Sequence, residues 1–184
     1  MTRRTKAAAR QEILEAARRR FALDGYRGTS IADIAAEQGT SKASILYHFA
    51  SKEAILADLV AGLWSEFGRL AQELEALEGD AAQRVAMERM TAIALEHRSD
   101  LAVFYGEIPE LLASGQFAGA KEASDHILAA LVHRDPRPQA QIVAVIVVAG
   151  IAAACHEFRD APRPDLEAAV VHVMRAALTN RLPD

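Results

Sequence analysis

Between Gln38 and Glu53 the sequence reads "QGTSKASILYHFASKE", which sets Lys42, Ser44, Tyr47, His48 and Lys52 close together just behind Gly39. Side chains of these types at this spacing suit the binding of duplex nucleic acid. Lys42 can meet a phosphate or a guanine edge, Ser44 can hydrogen-bond a base, and the small Ala43 can lie against a thymine methyl. Tyr47 and His48 can donate to backbone oxygens, and Lys52 stands where the free amides of a helix start also attract phosphate. Thr29 offers the same at the start of an earlier helix. Taken singly, each is equally an ordinary residue on a solvated helix face, so the reading rests on their order behind the turn.

The elements that must hold these residues are legible in the apolar spacing. Ile13, Ala17 and Phe21 recur every four positions, with Leu14 beside them, and predict an amphipathic helix from Lys6 to Asp24 that ends at Gly25 in a left-handed position. Thr29 or Ser30 can cap a second helix, about Ile31 to Gln38, whose positive end Asp33 favours. Gly39 ends it, and Ser41 is the natural N-cap of a third helix with Ile45 and Phe49 facing inward. Two short helices joined by a glycine turn have the form of a helix-turn-helix, and the small Ala35 lies where they must approach closely. Ser51 then caps a long fourth helix reaching about Leu77, with Leu59, Leu63, Phe67, Leu70 and Leu74 on its apolar face and a break at "EGD".

Those features carry a resemblance. "FALDGYRGTSIADIAAEQGTSKASILYHFASKEAIL", Phe21 to Leu56, is similar to the N-terminal DNA-binding domain of the TetR family of bacterial transcriptional regulators, as is the helix before it. The resemblance covers about the first 60 residues and stops near residue 65. It implies an all-α homodimer. Each subunit has a three-helix DNA-binding domain, here residues 1–56 with the helix-turn-helix at about 31–50, and a larger helical domain, 57–184, that binds a small molecule and dimerises. The fourth helix, about 52–77, links the two. In that family the positions equivalent to Lys42, Ala43, Ser44, Tyr47, His48 and Lys52 commonly contact operator DNA. Ser41 and Thr29 complete the expected DNA-facing set. Where many members have an aromatic pair before the histidine, this chain has Leu46 and Tyr47, so one phosphate donor is lost and Leu46 is expected to pack against its own domain.

Composition agrees with an all-helical reading. About half of the 184 residues are apolar, Ala and Leu are abundant, and only 5% are aromatic. The net charge of -4 hides an asymmetry: residues 1–52 hold ten Lys/Arg against five Asp/Glu, and the remainder eleven against twenty. The basic end is the expected polyanion binder. Arg3, Arg4, Lys6 and Arg10 could form an arm reaching the DNA backbone or minor groove. A single cysteine, Cys155, permits no intrachain disulfide, and the N-terminal residues lack the apolar core of a signal peptide, so a cytoplasmic location is the expectation.

Beyond the fourth helix, helical patterns recur at about 81–97, 99–105, 108–113, 117–133, 138–158 and 164–181, separated mostly by Gly and Pro breaks. The last two are expected to pack closely and to form a four-helix dimer interface with a second copy. The most apolar run, Ile142 to Cys155, is 14 residues long and too short to span a bilayer, which argues against a membrane partner. An effector pocket is expected among Trp64, Phe67, Met87, Met90, Phe104, Tyr105 and Phe117, with His97, Glu107 and His126 as polar anchors.

An enzyme is the main rival. No G-x-S-x-G, H-E-x-x-H or glycine-rich phosphate loop occurs. "CHE" at Cys155 to Glu157 cannot ligate one metal from one helix, because adjacent residues point ~100° apart. No catalytic residue, metal or cofactor is expected. The function implied is a ligand-responsive, sequence-specific repressor released from its operator by a small molecule. The nearest alternative is an architectural DNA-binding protein without an effector.

Overall fold

The structure, a computed structural model, describes residues 5–104 and 119–179. All regular structure among them is helical, in nine helices, and the chain divides into two compact units, residues 1–62 and 63–184. The division falls within a helix rather than ahead of it.

The first unit is built from α1 (Lys6–Gly28), α2 (Ile31–Gln38), α3 (Lys42–His48) and the opening turns of α4 (Lys52–Glu75). Ile13, Ala17 and Phe21 of α1 are buried with Ile34 of α2, Ile45 of α3 and Ile55 and Leu56 of α4. Burial of each large side chain contributes about 1.5–3 kcal/mol, which in so small a unit is the main force holding α3 in place. Gly25 breaks α1 as expected but with φ 74° and ψ 161°, a region open only to glycine, after which one more turn runs to Gly28. Ser30, not Thr29, caps α2: its hydroxyl accepts from the Asp33 amide at 3.2 Å while the Asp33 carboxylate takes the Ser30 amide at 2.8 Å. Gly39 follows at φ 70°, ψ 35°, the left-handed conformation that lets α3 begin three residues later. The Ser41 hydroxyl then accepts from the Ser44 amide, and the Ser51 hydroxyl from the Ala54 amide, both at 3.2 Å.

The second unit holds the remainder of α4 with α5 (Gly79–Glu96), α6 (Arg98–Phe104), α7 (Ala120–Leu131), α8 (Pro138–Glu157) and α9 (Arg163–Leu178). One apolar core joins Leu70 and Leu74 to Ile93, Ile127, Leu131, Ile151, Cys155 and Met174. Helix ends inside this core need partners for their last carbonyls. The buried Gln83 of α5 supplies two, its side-chain amide donating to Leu131 O at 2.7 Å and Leu178 O at 2.9 Å, the final residues of α7 and α9. Arg134 donates to Leu74 O and Leu77 O at the end of α4, and Arg98 to Phe158 O just past α8.

Several expected bounds shift. α4 stops at Glu75 rather than Leu77, α7 starts at Ala120 behind Gly119 at φ 77°, and α9 runs from Arg163 to Leu178. The expected segment 108–113 and the start of 117–133 lie outside the described residues. α8 follows its expected bounds: with Pro138 in its first turn it spans 20 residues, and although its apolar run of 14 is too short to span a bilayer, the helix as a whole is long and apolar enough to cross a membrane by length and composition alone. One of its faces, through Ala144, Val147, Ile151 and Cys155, is packed into the core of the second unit, and the other leaves Ile142, Val145 and Ile146 exposed.

Candidate nucleic-acid interface and apolar cavity

α3 is a short helix pinned from beneath and bare above. Ile45 is fully buried and Phe49, its C-cap, is 2% exposed, so the helix can present only one side to solvent. That side carries Lys42, Ala43, Leu46 and the 72% exposed Tyr47, with Ser44 and His48 half-buried on its flanks. Ser41 serves as the N-cap at the exposed start. The Tyr47 and His48 rings meet edge to face at 5.1 Å, and the Lys6 ammonium of α1 lies 5.4 Å from the Tyr47 ring centre. His48 Nδ1 is buried without a hydrogen-bond partner among the described residues. A cationic, hydroxyl-bearing and sterically open helix face of this kind can lie in a major groove.

Two members of the expected set are placed differently. Thr29 is 2% exposed, and its hydroxyl is spent on the α1 break, donating to Gly25 O at 2.8 Å with Arg20 O at 3.2 Å. A hydroxyl turned into the unit cannot reach a phosphate. Thr29 and Ser30 are equivalent caps by residue type, and the backbone direction decides between them. Lys52 also turns inward. Its ammonium donates to Tyr26 O and Thr29 O, each at 2.8 Å, and stands 4.2 Å from the Tyr26 ring centre, clasping the end of α1 to the start of α4. Two of its three N–H donors are thereby committed.

Leu46 does not pack against the unit as expected but stands 42% exposed. Lys6 and Arg10, expected in a basic arm, belong to α1. Arg10 pairs with Asp58 and stacks 4.3 Å from the Phe49 ring centre, and Arg3 and Arg4 lie outside the described residues. Lys6 lies beside Tyr47 on the α3 face, an association that sequence spacing alone gave no means of finding.

Two carboxylates of the first unit are held by hydrogen bonds at helix starts. The Ser30 hydroxyl and amide hold the Asp33 carboxyl below its usual range, and the Glu53 carboxyl is lowered by its own amide and the Ser51 hydroxyl, with Tyr26 donating at 3.3 Å.

The second unit contains a cavity of about 230 Å³. Trp64 and Phe67 of α4 and Met90 of α5 line it, as the sequence suggested, and their neighbours are Leu128 of α7 and Val148 and Ile151 of α8. The expected polar anchors are elsewhere. His97 sits between carboxylates, Nε2 3.3 Å from Glu66 and Nδ1 3.6 Å from Asp100, while His126 lies 3.4 Å from the Arg134 guanidinium at the end of α4. Met87 packs against the core but does not line this cavity. The side chain of Phe104, together with Tyr105, Glu107 and Phe117, falls outside the described residues. Leu128 and Ser124, four residues apart on one face of α7, are cavity residues that sequence reasoning missed. Their helical spacing was the available signal.

Comparison with known proteins bears on both units. Residues 13–59 match the family model described as bacterial regulatory proteins, tetR family. The HTH-type transcriptional repressor KstR2 of Rhodococcus jostii (strain RHA1) is 28% identical over 121 residues, covering 64% of this chain and 58% of that protein. The HTH-type transcriptional regulator RutR of Escherichia coli (strain K12) is 31% identical over 124 residues, covering 67% of this chain and 55% of its own length. This chain thus spans little more than half the length of these curated relatives. The solved structure of the ketosteroid transcriptional regulator KstR2 of Mycobacterium tuberculosis superposes with a TM-score of 0.67 at 19% identity, covering 92% of this chain and 94% of that one, a likeness of fold that extends well beyond the helix-turn-helix. With a capped helix-turn-helix and the matching family model, residues 13–59 belong to the tetR family of bacterial regulatory proteins, and the all-helical fold around them is similar to that of a solved regulator.

Proposed function

We propose that the chain is a ligand-responsive, sequence-specific DNA-binding regulator of transcription. It acts as a homodimer that occupies an operator and leaves it when a small molecule enters the cavity of the second unit. The observation that carries the reading is α3, whose buried Ile45 and Phe49 oblige Lys42, Ala43 and Tyr47 to face solvent. Relatives named as transcriptional repressors support it. A protein that regulates genes in this way works in the cytoplasm, and the reading gives it no catalytic residue, metal or cofactor.

Dimerisation is supported by α8 and α9. Ile142, Val145 and Ile146 on α8, Phe158 just past it and Val173 on α9 are all at least half exposed, an apolar face that a monomer would leave in water. Paired about a two-fold axis, α8 and α9 of two copies make a four-helix interface. One helix-turn-helix makes few base contacts, whereas two half-sites about one helical turn apart multiply them. The cavity favours an effector-controlled regulator over an architectural DNA binder. A ligand that weakens operator binding 100-fold must favour the released state by about 2.7 kcal/mol.

Selection from a random duplex pool tests the reading. A two-fold symmetric site should be enriched, and Lys42→Ala combined with Tyr47→Ala should lower affinity for it at least tenfold at matched salt. Unchanged affinity in the double variant, with dimer and helical content intact, would remove α3 as the interface.

A further inference from the structure

The cavity of the second unit is large for packing and poor in polar groups. Protein interiors leave few voids bigger than a water molecule, and an apolar cavity of about 150 Å³ already admits benzene. At about 230 Å³, this one has room in that proportion for on the order of ten non-hydrogen atoms. Among the described residues no charged side chain lines it, and the Ser124 hydroxyl and Trp64 indole N–H are its polar side-chain groups.

Nearby polar side chains are turned to other partners. Thr91 donates to Met87 O at 2.9 Å, Cys155 Sγ lies 3.8 Å from Ala94 O, and His97 is held between Glu66 and Asp100. Burial raises the Cys155 thiol above its ordinary value, so it stays neutral at physiological pH. A charged ligand would enter with nothing among these side chains to replace its hydration.

We infer that this cavity takes an uncharged, largely apolar molecule of about ten non-hydrogen atoms with at most one hydrogen-bonding group, and that it discriminates against the carboxylate of the same chain length. The inference deepens the effector reading and rests on it for the ligand's regulatory role, though not for binding itself. Val145 and Ala149 of α8, exposed in the single chain, are wall residues, so the cavity borders the face that the proposed dimer covers.

The chain's one tryptophan, Trp64, lies in the wall and reports occupancy. We expect 1-octanol to change Trp64 emission saturably, and octanoate at neutral pH to bind at least ~100-fold more weakly. Ala152→Leu, which fills the cavity from α8, should weaken octanol binding at least tenfold. Should that variant fold poorly, Ala149→Leu enters from the bordering face of α8 and should do the same. Equal affinity for alcohol and carboxylate, no saturable octanol signal, or indifference to filling in a folded variant would each overturn the inference. Normal DNA binding without octanol binding would refute it and spare the regulator reading. Octanol bound with operator affinity unchanged would sustain the inference and remove the effector role.

Discussion

Two lysines from the same short segment should respond oppositely to removal, because the structure gives them opposite surroundings. Lys42 is exposed at the start of α3, and Lys52 donates to Tyr26 O and Thr29 O at 2.8 Å each. Each phosphate contact contributes about 0.9 to the slope of log affinity against log salt. Lys42→Ala in a dimer removes two such contacts and should flatten the slope by ~1.8. Over a fourfold rise in salt the unaltered protein should then lose about 12-fold more affinity than the variant. Its melting temperature should not move. Lys52→Met removes two charge-assisted hydrogen bonds and a cation–π contact while keeping the apolar stem. Such bonds contribute about 1.5–3 kcal/mol each in full burial; at this half-exposed site, where water can reach the carbonyls, a total near 2 kcal/mol is expected. That corresponds to a fall of ~4–8 °C in melting temperature for a chain of this size, with the salt slope unchanged. Fluorescence anisotropy with a labelled duplex from about 50 to 200 mM salt, beside thermal melts, measures both. A flattened slope with unchanged melting in Lys52→Met would refute the clasp, and an unchanged slope in Lys42→Ala would refute the assignment of the phosphate-facing side.

Thr29→Val keeps the shape of a buried side chain but removes the hydroxyl bonded to Gly25 O; it should cost about 1–2 kcal/mol by chemical denaturation and leave DNA binding at matched salt alone. The lowered Asp33 carboxyl implies that its capping contribution is present above the ordinary carboxylate value and lost as pH falls through the depressed one; Asp33→Asn should therefore reduce the acid-side loss of stability in melts across that range. Ile146→Glu, on the exposed face of α8, should convert dimer to monomer in sedimentation velocity with helical content unchanged; a persistent dimer would move the interface elsewhere.

The helix-turn-helix was legible because short-range rules decide it. Gly39 needs a left-handed turn, Ser41 caps the next amide, and Ile45 and Phe49 share a face, all within one stretch of chain. Thr29 and Lys52 were misread because their partners, Gly25, Tyr26 and the Thr29 carbonyl, depend on how the kink at Gly25 redirects the backbone. A residue's type states what it can donate, not toward which side the chain turns it. The cavity shows the same division. Trp64, Phe67 and Met90 were recoverable as bulky apolar residues at helical spacing, whereas His97 and His126 looked like anchors until Glu66, Asp100 and Arg134 were found beside them.

The Gln83 amide joins the final carbonyls of α7 and α9, which are 47 residues apart in sequence, through one planar group. Fraying of either helix at that end strands one N–H of this buried amide and loosens the planar group on which the other carbonyl depends. Their last turns should therefore loosen as one cooperative unit, and backbone amides there should exchange with solvent at matched rates instead of following the graded fraying of independent helix tips.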